Sequence, residues 1–322
     1  MDLLSIFRSR VAVVFPGQGS QYVGMGRQLA AVSPTARRLF ARADAALGIA
    51  LTQLMFEGSA AELDDTINAQ PAILTVSVAC FEVLRERMQL LGQELAPRLT
   101  AGHSLGEYTA LVVAGAIGFE EAVRLVRERG RIMKESAEQR PGGMAAVVGL
   151  DDQVLEEVVR EAQREGLVTL ANANSPGQTV LSGEIGALKR AMELAQERGA
   201  RMVQRLAISI ASHSPLMEHA QQRFGELIQR AQLRPPQIPL IANISAQAIT
   251  SVEELRQELI EHLTRPVQWT HSVRAMLGQG IDTIVEIGPR QVLTGLNKRI
   301  SSEAKPITLN DIEVAKIIAE AP

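Results

Sequence analysis

The run VAVVF, residues 11–15, is short and wholly apolar, and it stops at Pro16-Gly17. Strands buried on both faces have this composition, because helices cover both sides of a parallel sheet. RLTAGH (98–103) and TIVEIGP (283–289) are two further candidate strands, and helical patterns lie between them. This alternation predicts an α/β fold with a mainly parallel sheet.

The composition agrees with such a fold. The chain has 322 residues, of which 46% are hydrophobic and only 3% aromatic, so Ala, Val, Leu and Ile supply most of the core. Apolar residues at helical spacing predict helices over 70–91, 105–115, 119–136 and 251–263.

The middle of the chain has a different order. Its patterns alternate as β-α-β-β-α-β, which is the ferredoxin-like arrangement. The segments are 143–150, 151–166, 167–172, 177–183, 184–199 and 201–208. We therefore expect a small ferredoxin-like domain over 138–207, inserted into a larger hydrolase-like α/β domain formed by 1–137 and 208–322.

Charge and cysteine content exclude several classes of protein. The net charge is −3 with no long basic run, which argues against a nucleic-acid partner. The single Cys80 rules out an internal disulfide and suits a reducing compartment. No run approaches the ~20 apolar residues of a membrane span, and the apolar part of the first ten residues is too short for a signal peptide. We expect a cytoplasmic protein with no membrane segment.

Ser104 is the first candidate for chemistry. It lies in AGHSLGEY, which contains G-x-S-x-G between a predicted strand and a predicted helix. The glycines permit a cramped turn that lifts the serine oxygen clear of the sheet. In this context we interpret Ser104 as a nucleophile rather than a helix cap.

A nucleophilic serine needs a base, and the chain has five histidines. His103 adjoins Ser104 on an extended turn, so its side chain should project elsewhere. His219 and His262 lie in helical patterns among polar neighbours and should be solvated, and His271 should be structural. His213, in SIASHSPLM, follows a predicted strand in a loop of small residues, where α/β folds place catalytic groups.

No acid stands out as the third member of a triad. Glu286 at a strand end is one possibility, and a backbone carbonyl is another, because the imidazole needs only an acceptor for its second N–H. The sequence leaves both alternatives open.

Arg129 falls on the apolar stripe of the predicted helix 119–136. Its neighbours at helical spacing are Leu125, Val126, Ile132 and Met133, which offer no carboxylate. A lone buried charge is costly, so Arg129 must meet an anion elsewhere. This anion is either a distant acid such as Glu107 or the carboxylate of a substrate, which a guanidinium can hold by two hydrogen bonds.

The segment FPGQGSQYVGMG after the first strand is rich in glycine. It fails the dinucleotide pattern because Tyr22 stands where a third glycine is required, and it lacks G-K-[ST]. Its backbone amides could still join the amide of Leu105 in holding an oxyanion. No Cys, His or carboxylate cluster has metal-ligand spacing, so we expect no metal and no cofactor.

Several segments together resemble the malonyl-CoA:acyl carrier protein transacylases. They span nearly the whole chain in the right order: VFPGQGSQ, GHSLGEY, RLVRERG, NANSPGQ, SIASHSPLM, RPVQW and EIGPRQVLTGL. The resemblance implies an acyltransferase that moves a malonyl group from malonyl-CoA to the phosphopantetheine thiol of acyl carrier protein through a malonyl-serine intermediate. It also implies a hydrolase-like domain with a ferredoxin-like insert.

The resemblance assigns roles to matching residues. It implies Ser104 as nucleophile, His213 as base, and the main-chain carbonyl of Gln268 as the group that orients His213. Arg129 would bind the malonyl carboxylate. The remaining implied contacts are the oxyanion amides of Gln18 and Leu105, and the pocket residues His103 and Asn172.

Three alternatives stay open. Ile210-Ala211-Ser212 is similar to the pattern in methylmalonyl-selective acyltransferase domains of polyketide synthases, so a discrete polyketide acyltransferase remains possible. An esterase or thioesterase could use the same serine, and a non-catalytic carrier-docking module could keep the same fold. For acidic carrier proteins, candidate docking residues are Arg201, Arg205, Lys298 and Arg299. We expect a monomer.

Overall fold

The computed structural model describes residues 3–7 and 10–320. Outside this range lie residues 1, 2, 8, 9, 321 and 322. The first four belong to the N-terminal segment that we compared with a signal peptide. The strands are β1 (Val11–Phe15), β2 (Leu99–Gly102), β3 (Gly142–Val148), β4 (Val168–Ser175), β5 (Gln178–Glu184), β6 (Met202–Arg205), β7 (Leu240–Ile241), β8 (Ala248–Ile249), β9 (Thr283–Ile287) and β10 (Lys305–Leu309).

The helices lie mostly outside the strand-rich middle of the chain. They are α1 (Leu3–Phe7), α2 (Arg27–Val32), α3 (Pro34–Leu47), α4 (Leu51–Glu57), α5 (Ala60–Asp64), α6 (Thr66–Leu90), α7 (Gly106–Val113), α8 (Phe119–Gln139), α9 (Asp152–Ala162), α10 (Ile185–Glu197), α11 (Glu218–Arg230), α12 (Val252–Glu261), α13 (Trp269–Gly278), α14 (Val292–Ile300) and α15 (Asp311–Ala319). Short 3-10 turns occupy Gln163–Glu165 and Pro215–Met217.

The larger sheet has the order β10-β9-β1-β2-β7-β8. Its pairs are parallel except for β8, which runs antiparallel to β7. All five residues of β1 are buried, as expected for an apolar strand with neighbours on both sides. The prediction of an α/β fold with a mainly parallel sheet is confirmed.

The smaller sheet has the order β4-β5-β3-β6, and every neighbouring pair is antiparallel. Helices α9 and α10 pack on it around a separate apolar core. The predicted β-α-β-β-α-β order is therefore confirmed between Gly142 and Arg205. The domain limits at 138 and 207 stay a prediction.

Helix α6 departs from one expectation. It has 25 residues and is apolar enough to cross a membrane, although we predicted no such run. Scattered Thr, Ser and Gln residues interrupt its apolar letters while the mean hydropathy stays high. In the structure 83% of its most apolar window is buried inside the protein, where α6 packs between α3 and α8.

The smaller sheet is hydrogen-bonded to the segment around Val267, which leads into α13. The amide of Ala173 in β4 donates to the carbonyl of Val267, and the amide of Val267 donates to Ala171, both at 2.9 Å. These bonds hold β4 against the segment that leads into α13. The cleft beside this junction is lined by residues of β3, β4 and β5 and by the loops that follow β1 and β2.

The turn between β2 and α7 requires two glycines. A Cβ atom on Gly106 would lie 2.1 Å from the carbonyl oxygen of Phe15, and one on Gly102 would lie 1.9 Å from the carbonyl carbon of Gly106. Real Cβ atoms do not approach backbone this closely. The backbone of α7 can therefore lie against β1 only if both positions lack a side chain.

The fold predicts opposite effects for two glycine substitutions. Gly106→Ala should destabilise the protein by about 1–3 kcal/mol or more, because α7 must move away from β1. Gly186→Ala, in helix α10 with no atom within 4 Å of the new Cβ, should be neutral or stabilise by up to about 1 kcal/mol. Urea unfolding followed by circular dichroism measures both. Equal stabilities of the two variants would contradict the close approach of α7 to β1.

Candidate active site

Ser104 lies at the tip of the turn between β2 and α7. Its φ angle is 48°, in the left-handed region that non-glycine residues rarely adopt. Its amide donates to Oδ1 of Asn243 at 2.8 Å, and Nδ2 of Asn243 donates to the carbonyl of Gly102 at 2.7 Å. The side chain of Asn243 thus bridges the two ends of the turn by hydrogen bonds and helps to hold Ser104 in this conformation.

His213 meets Ser104 across 109 residues of chain, with Nε2 2.8 Å from Oγ. Its φ angle is 58° and its side chain is buried. The amide of His213 donates to the carbonyl of Leu263 at 2.9 Å, which fixes the loop against the end of α12. This is the nucleophile–base contact that serine catalysis needs.

Two peptide carbonyls orient the ring of His213. Nδ1 lies 3.0 Å from the carbonyl oxygen of His262 and 3.1 Å from that of Arg265. The prediction that the carbonyl of Gln268 takes this part is wrong. Gln268 is the N-cap of α13, so its carbonyl accepts from the amide and hydroxyl of Ser272 instead.

The alternative orienting acid, Glu286, is also excluded. Its carboxylate accepts from the amides of Leu293 and Thr294 at 2.9 and 2.6 Å. Glu286 therefore binds the N-terminal turn of α14 and does not contact His213. Of the two possibilities left open by the sequence, the backbone carbonyl is the one that the structure contains.

Burial, followed by the positive charge of Arg129, lowers the pKa of His213 to about 3. A low pKa keeps the imidazole neutral at neutral pH. Nε2 is then free to accept the proton of the Ser104 hydroxyl.

Arg129 is buried beside the serine, with 2% of its surface exposed. Nη2 lies 3.3 Å from Ser104 Oγ, Nη1 donates to Oε1 of Gln70 at 2.9 Å, and the guanidinium covers the ring of Tyr108. No carboxylate among residues 3–7 and 10–320 forms an ion pair with it, and Glu107 faces His262 instead. The alternative of a structural salt bridge to Glu107 is therefore wrong.

A chain of hydrogen bonds links Arg129 to the glycine-rich loop after β1. Gln70 accepts from Arg129 and donates through Nε2 to the hydroxyl of Thr66 at 2.9 Å. Thr66 then donates to Oε1 of Gln18, also at 2.9 Å. The guanidinium and the loop that carries Gln18 are consequently held in one geometry.

The backbone amides of Gln18 and Leu105 both border the cleft. Within the part of the chain that the structure describes, neither amide has a hydrogen-bond acceptor. Two unused N–H groups next to a nucleophile can bind the oxyanion of a tetrahedral intermediate. Their proposed role as an oxyanion hole is consistent with this geometry.

His103 and Asn172 both reach the cleft, as the resemblance implied. Nε2 of His103 lies 2.8 Å from Oδ1 of Asn174, and Asn172 is buried on β4. His219 and His271 are exposed, and His271 contacts the side chain of Gln268. The prediction that His262 is solvated is wrong, because α12 ends there and its ring turns into the core with 0% exposure.

The cleft above Ser104 has a volume of about 220 Å³. One wall comes from the small sheet and the segment after it, and another from α14. The lining residues beyond those already described include Met133, Met144, Gln178, Val180, Leu206, Ile208, Ile210, Ser212, Val292, Leu293 and Leu296. The cleft thus combines apolar walls with the positively charged Arg129 beside Ser104.

Three contributions were missed from the sequence. They are the clamp of Asn243, the acceptor Gln70 and the carbonyls of His262 and Arg265. Asn243-Ile-Ser245 matches a glycosylation acceptor by chance, and Asn243 is in fact buried. Gln70 was detectable, since a glutamine among apolar residues of a core helix needs a polar partner.

Comparison with known proteins identifies the family of this chain. The model of the acyl transferase domain family matches residues 12–320. The chain belongs to the acyl transferase family. A malonyl CoA-acyl carrier protein transacylase of Bacillus subtilis is 42% identical over 310 residues, which are 96% of each chain.

Solved structures with a similar fold superpose on this chain over nearly its whole length. An acyl carrier protein S-malonyltransferase of Vibrio cholerae superposes with a TM-score of 0.90 at 39% identity, over 96% of this chain and all of the other. A malonyl-transacylase solved in complex with its type II polyketide synthase acyl carrier protein superposes with a TM-score of 0.91 at 39% identity, over 97% and 99% of the two chains.

The lowered pKa of His213 predicts an unusual pH profile. Because the ring stays neutral above about pH 3, the rate of Ser104 acylation should change less than about twofold between about pH 7.5 and about pH 5.5. A base with an ordinary histidine pKa of about 6.5 would lose about tenfold over the same range. Rapid quenching and intact-mass analysis measure this rate. A midpoint near the ordinary value would contradict the stated environment of His213.

Proposed function

We propose that this acyl transferase moves a malonyl group from malonyl-CoA to the phosphopantetheine thiol of an acyl carrier protein, through a malonyl ester on Ser104. The observation that carries the proposal is the buried Arg129, which has no carboxylate partner among the described residues and lies 3.3 Å from Ser104 Oγ. A carboxylate on the acyl group would complete this site. The relatives named above carry the same activity in their names.

The first half-reaction forms the acyl-enzyme. Nε2 of His213 takes the hydroxyl proton of Ser104 as Oγ attacks the thioester carbonyl, and the amides of Gln18 and Leu105 hold the resulting oxyanion. When the carbon–sulfur bond breaks, the imidazolium returns the proton to sulfur and CoA leaves as a thiol. The malonyl group remains on Ser104 with its carboxylate on Arg129.

The second half-reaction repeats these steps in reverse order with another thiol. His213 takes the proton of the phosphopantetheine thiol, and its sulfur attacks the serine ester. The ester bond to Oγ breaks, Oγ regains the proton, and malonyl-carrier protein leaves. Kinetics of the ping-pong type follow from the covalent intermediate.

The basic residues near α14 are candidates for the carrier contact. Arg299 donates to Gln178, and Gln178 lines the cleft, so this cation lies close to its rim. Lys298 is its exposed neighbour on the same helix, and Arg205 is exposed just before the lining residue Leu206. An acidic carrier protein would be steered to this side by charge complementarity. Arg201 is exposed at the start of the same segment.

The proposal also covers the oligomeric state, the need for a cofactor and the location of the protein. We propose a monomer as the active unit, because Ser104, His213 and Arg129 come together within one chain. The chemistry uses only side chains and backbone amides, so we propose that it needs no cofactor. We propose a cytoplasmic location, where CoA thioesters and carrier proteins are available.

A second candidate function is that of a discrete acyltransferase of a polyketide synthase. Ile210 and Ser212, from the segment similar to methylmalonyl-selective domains, both line the cleft. One structural relative is described with a type II polyketide synthase carrier protein. The candidate differs from the first in the carrier and in tolerance of methylmalonyl, while the roles of Ser104, His213 and Arg129 are the same.

Covalent labelling tests the proposed intermediate. Incubation with malonyl-CoA alone should add one malonyl group to the protein by intact mass, and Ser104→Ala should add none. Ser212→Ala, which alters another serine of the cleft, should still be labelled. Labelling of the Ser104→Ala variant would contradict the assignment of the nucleophile.

The fate of the malonyl group on the labelled protein separates a transferase from a hydrolase and from a docking module. With holo-carrier protein in water, most of the malonyl group should appear on the carrier, whereas release mainly as free malonate would favour a hydrolase. A protein that is never labelled would act only as a docking module. Methylmalonyl-CoA used in parallel, with a fatty-acid and a polyketide carrier, distinguishes the two transferase candidates.

Arg129 should determine the choice of acyl group. Arg129→Ala should slow malonyl transfer by a factor of about 30 to several thousand, since losing the partner of a buried charge costs about 2–5 kcal/mol. Acetyl transfer, which needs no cation, should fall much less. Arg131→Ala is the control, because Arg131 is half exposed on the same helix and pairs with Glu128 and Glu135. Equal losses of malonyl and acetyl transfer would exclude the carboxylate-binding role.

A further inference from the structure

Two buried ionisable side chains lie behind the Ser104–His213 pair and take no part in the proposed steps. Glu107 is in the first turn of α7, and His262 is the C-cap of α12. Both side chains are 0% exposed, with Oε2 of Glu107 3.4 Å from Nδ1 of His262. Neither residue lines the cleft, so neither can contact the acyl group.

Glu107 is connected to the nucleophile. Its Oε1 accepts from the amide of Asn243 at 3.2 Å, and Oδ1 of Asn243 accepts from the amide of Ser104 at 2.8 Å. The next amide, that of Ile244, donates to the buried Glu258 at 2.9 Å. Consecutive amides of one turn are thus held by two carboxyl groups, and this turn holds Ser104.

His262 is connected to the base. Its peptide carbonyl accepts from Nδ1 of His213 at 3.0 Å, and its ring lies between those of His213 and Tyr108, with centroid distances of 5.3 and 6.2 Å. The carbonyl of the next residue, Leu263, accepts from the amide of His213. A displacement of the end of α12 would therefore move the catalytic imidazole.

The pair adds no net charge beside the reacting atoms. With one proton between them, the pair is either a carboxylic acid beside a neutral imidazole or a carboxylate beside an imidazolium. Both arrangements have no net charge. Burial raises the pKa of Glu107 and lowers that of His262, which favours the arrangement with both side chains uncharged. Other charged or titratable groups in this region are Arg129, Glu258, His103 and His213.

We propose that Glu107 and His262 are positioning residues that together set the distance between Ser104 Oγ and His213 Nε2. Glu107 controls the serine side through Asn243, and His262 controls the imidazole side through its own carbonyl. Their mutual contact ties α7 to α12 and so fixes the two sides relative to each other. The inference deepens the proposed function, since acylation of Ser104 is the step that it concerns.

A purely structural pair would behave differently in a double substitution. Removing one member leaves a buried polar atom of the other without its contact and destabilises the fold. Replacing both by apolar residues of similar size is often nearly neutral for stability. The double variant should therefore regain stability whether the pair is purely structural or also positions the catalytic residues. Its rate of acylation should recover only if the pair is purely structural.

The experiment compares His262→Leu, His262→Gln, Glu107→Leu and the double variant Glu107→Leu/His262→Leu with the unsubstituted protein. Urea unfolding gives the stability of each. Quenched intact-mass analysis gives the rate of malonyl labelling as a function of malonyl-CoA concentration. Labelling by p-nitrophenyl acetate, followed by release of p-nitrophenol, tests the serine and histidine without any malonyl group.

We expect the saturating labelling rate of His262→Leu to fall about tenfold to a hundredfold with both reagents, because displacements of about 1 Å have effects of this size. The half-saturating malonyl-CoA concentration should stay within about twofold, since substrate binding is untouched. His262→Gln keeps a polar group for Glu107, so its rate should return to within about threefold of the original. The double variant should regain stability and remain slow.

Recovery of the labelling rate together with stability in the double variant would overturn the inference. So would a changed half-saturating concentration at an unchanged maximal rate. If a single variant does not fold, the double variant and His262→Gln decide the question. Failure of the unsubstituted protein to take malonyl would contradict the proposed function alone, because p-nitrophenyl acetate still reports on the positions of Ser104 and His213.

Discussion

A buried guanidinium without a carboxylate partner imposes the main constraint on this active site. Arg129 is almost fully enclosed, and an unpaired buried charge costs several kcal/mol. Neutral groups offset part of this cost: Gln70 and Ser104 interact with the guanidinium nitrogens, and Tyr108 presents its ring. None of these neutral groups cancels the charge, which under the proposed function binds the carboxylate of the acyl group.

Among the residues that the structure describes, no acid contacts His213, and the same constraint accounts for this. A carboxylate bonded to His213 would lie near Arg129 and would weaken its attraction for a malonyl carboxylate. The carbonyls of His262 and Arg265 orient the ring without adding charge. They stabilise an imidazolium less than a carboxylate would, but a thioester is an activated acyl donor and demands less of its base than an amide does.

Features encoded in short stretches could be predicted from the sequence. The strand 11–15, the turn around Ser104 and the β-α-β-β-α-β order each depend on neighbours in the chain, and all are present. Of the contacts between distant segments, the pairing of Ser104 with His213 could be predicted from residue chemistry. The clamp of Asn243, which reaches Ser104 across 139 residues, could not. The role expected for Gln268 was wrong because resemblance matches positions in a sequence, whereas the direction of a carbonyl depends on where α13 begins.

The cleft above Ser104 also bears on the direction in which the acyl group travels, because it favours neither direction by itself. CoA and the carrier both present a pantetheine thiol, and under the proposed function each would reach Ser104 through the cleft above it. One thioester is exchanged for another, so the chemical bonds favour neither side. Under the proposed function Arg129 holds the acyl group by its carboxylate and not by its sulfur, so the protein would behave as a reversible exchanger. The relative concentrations of the two thiols then set the net flow of malonyl groups.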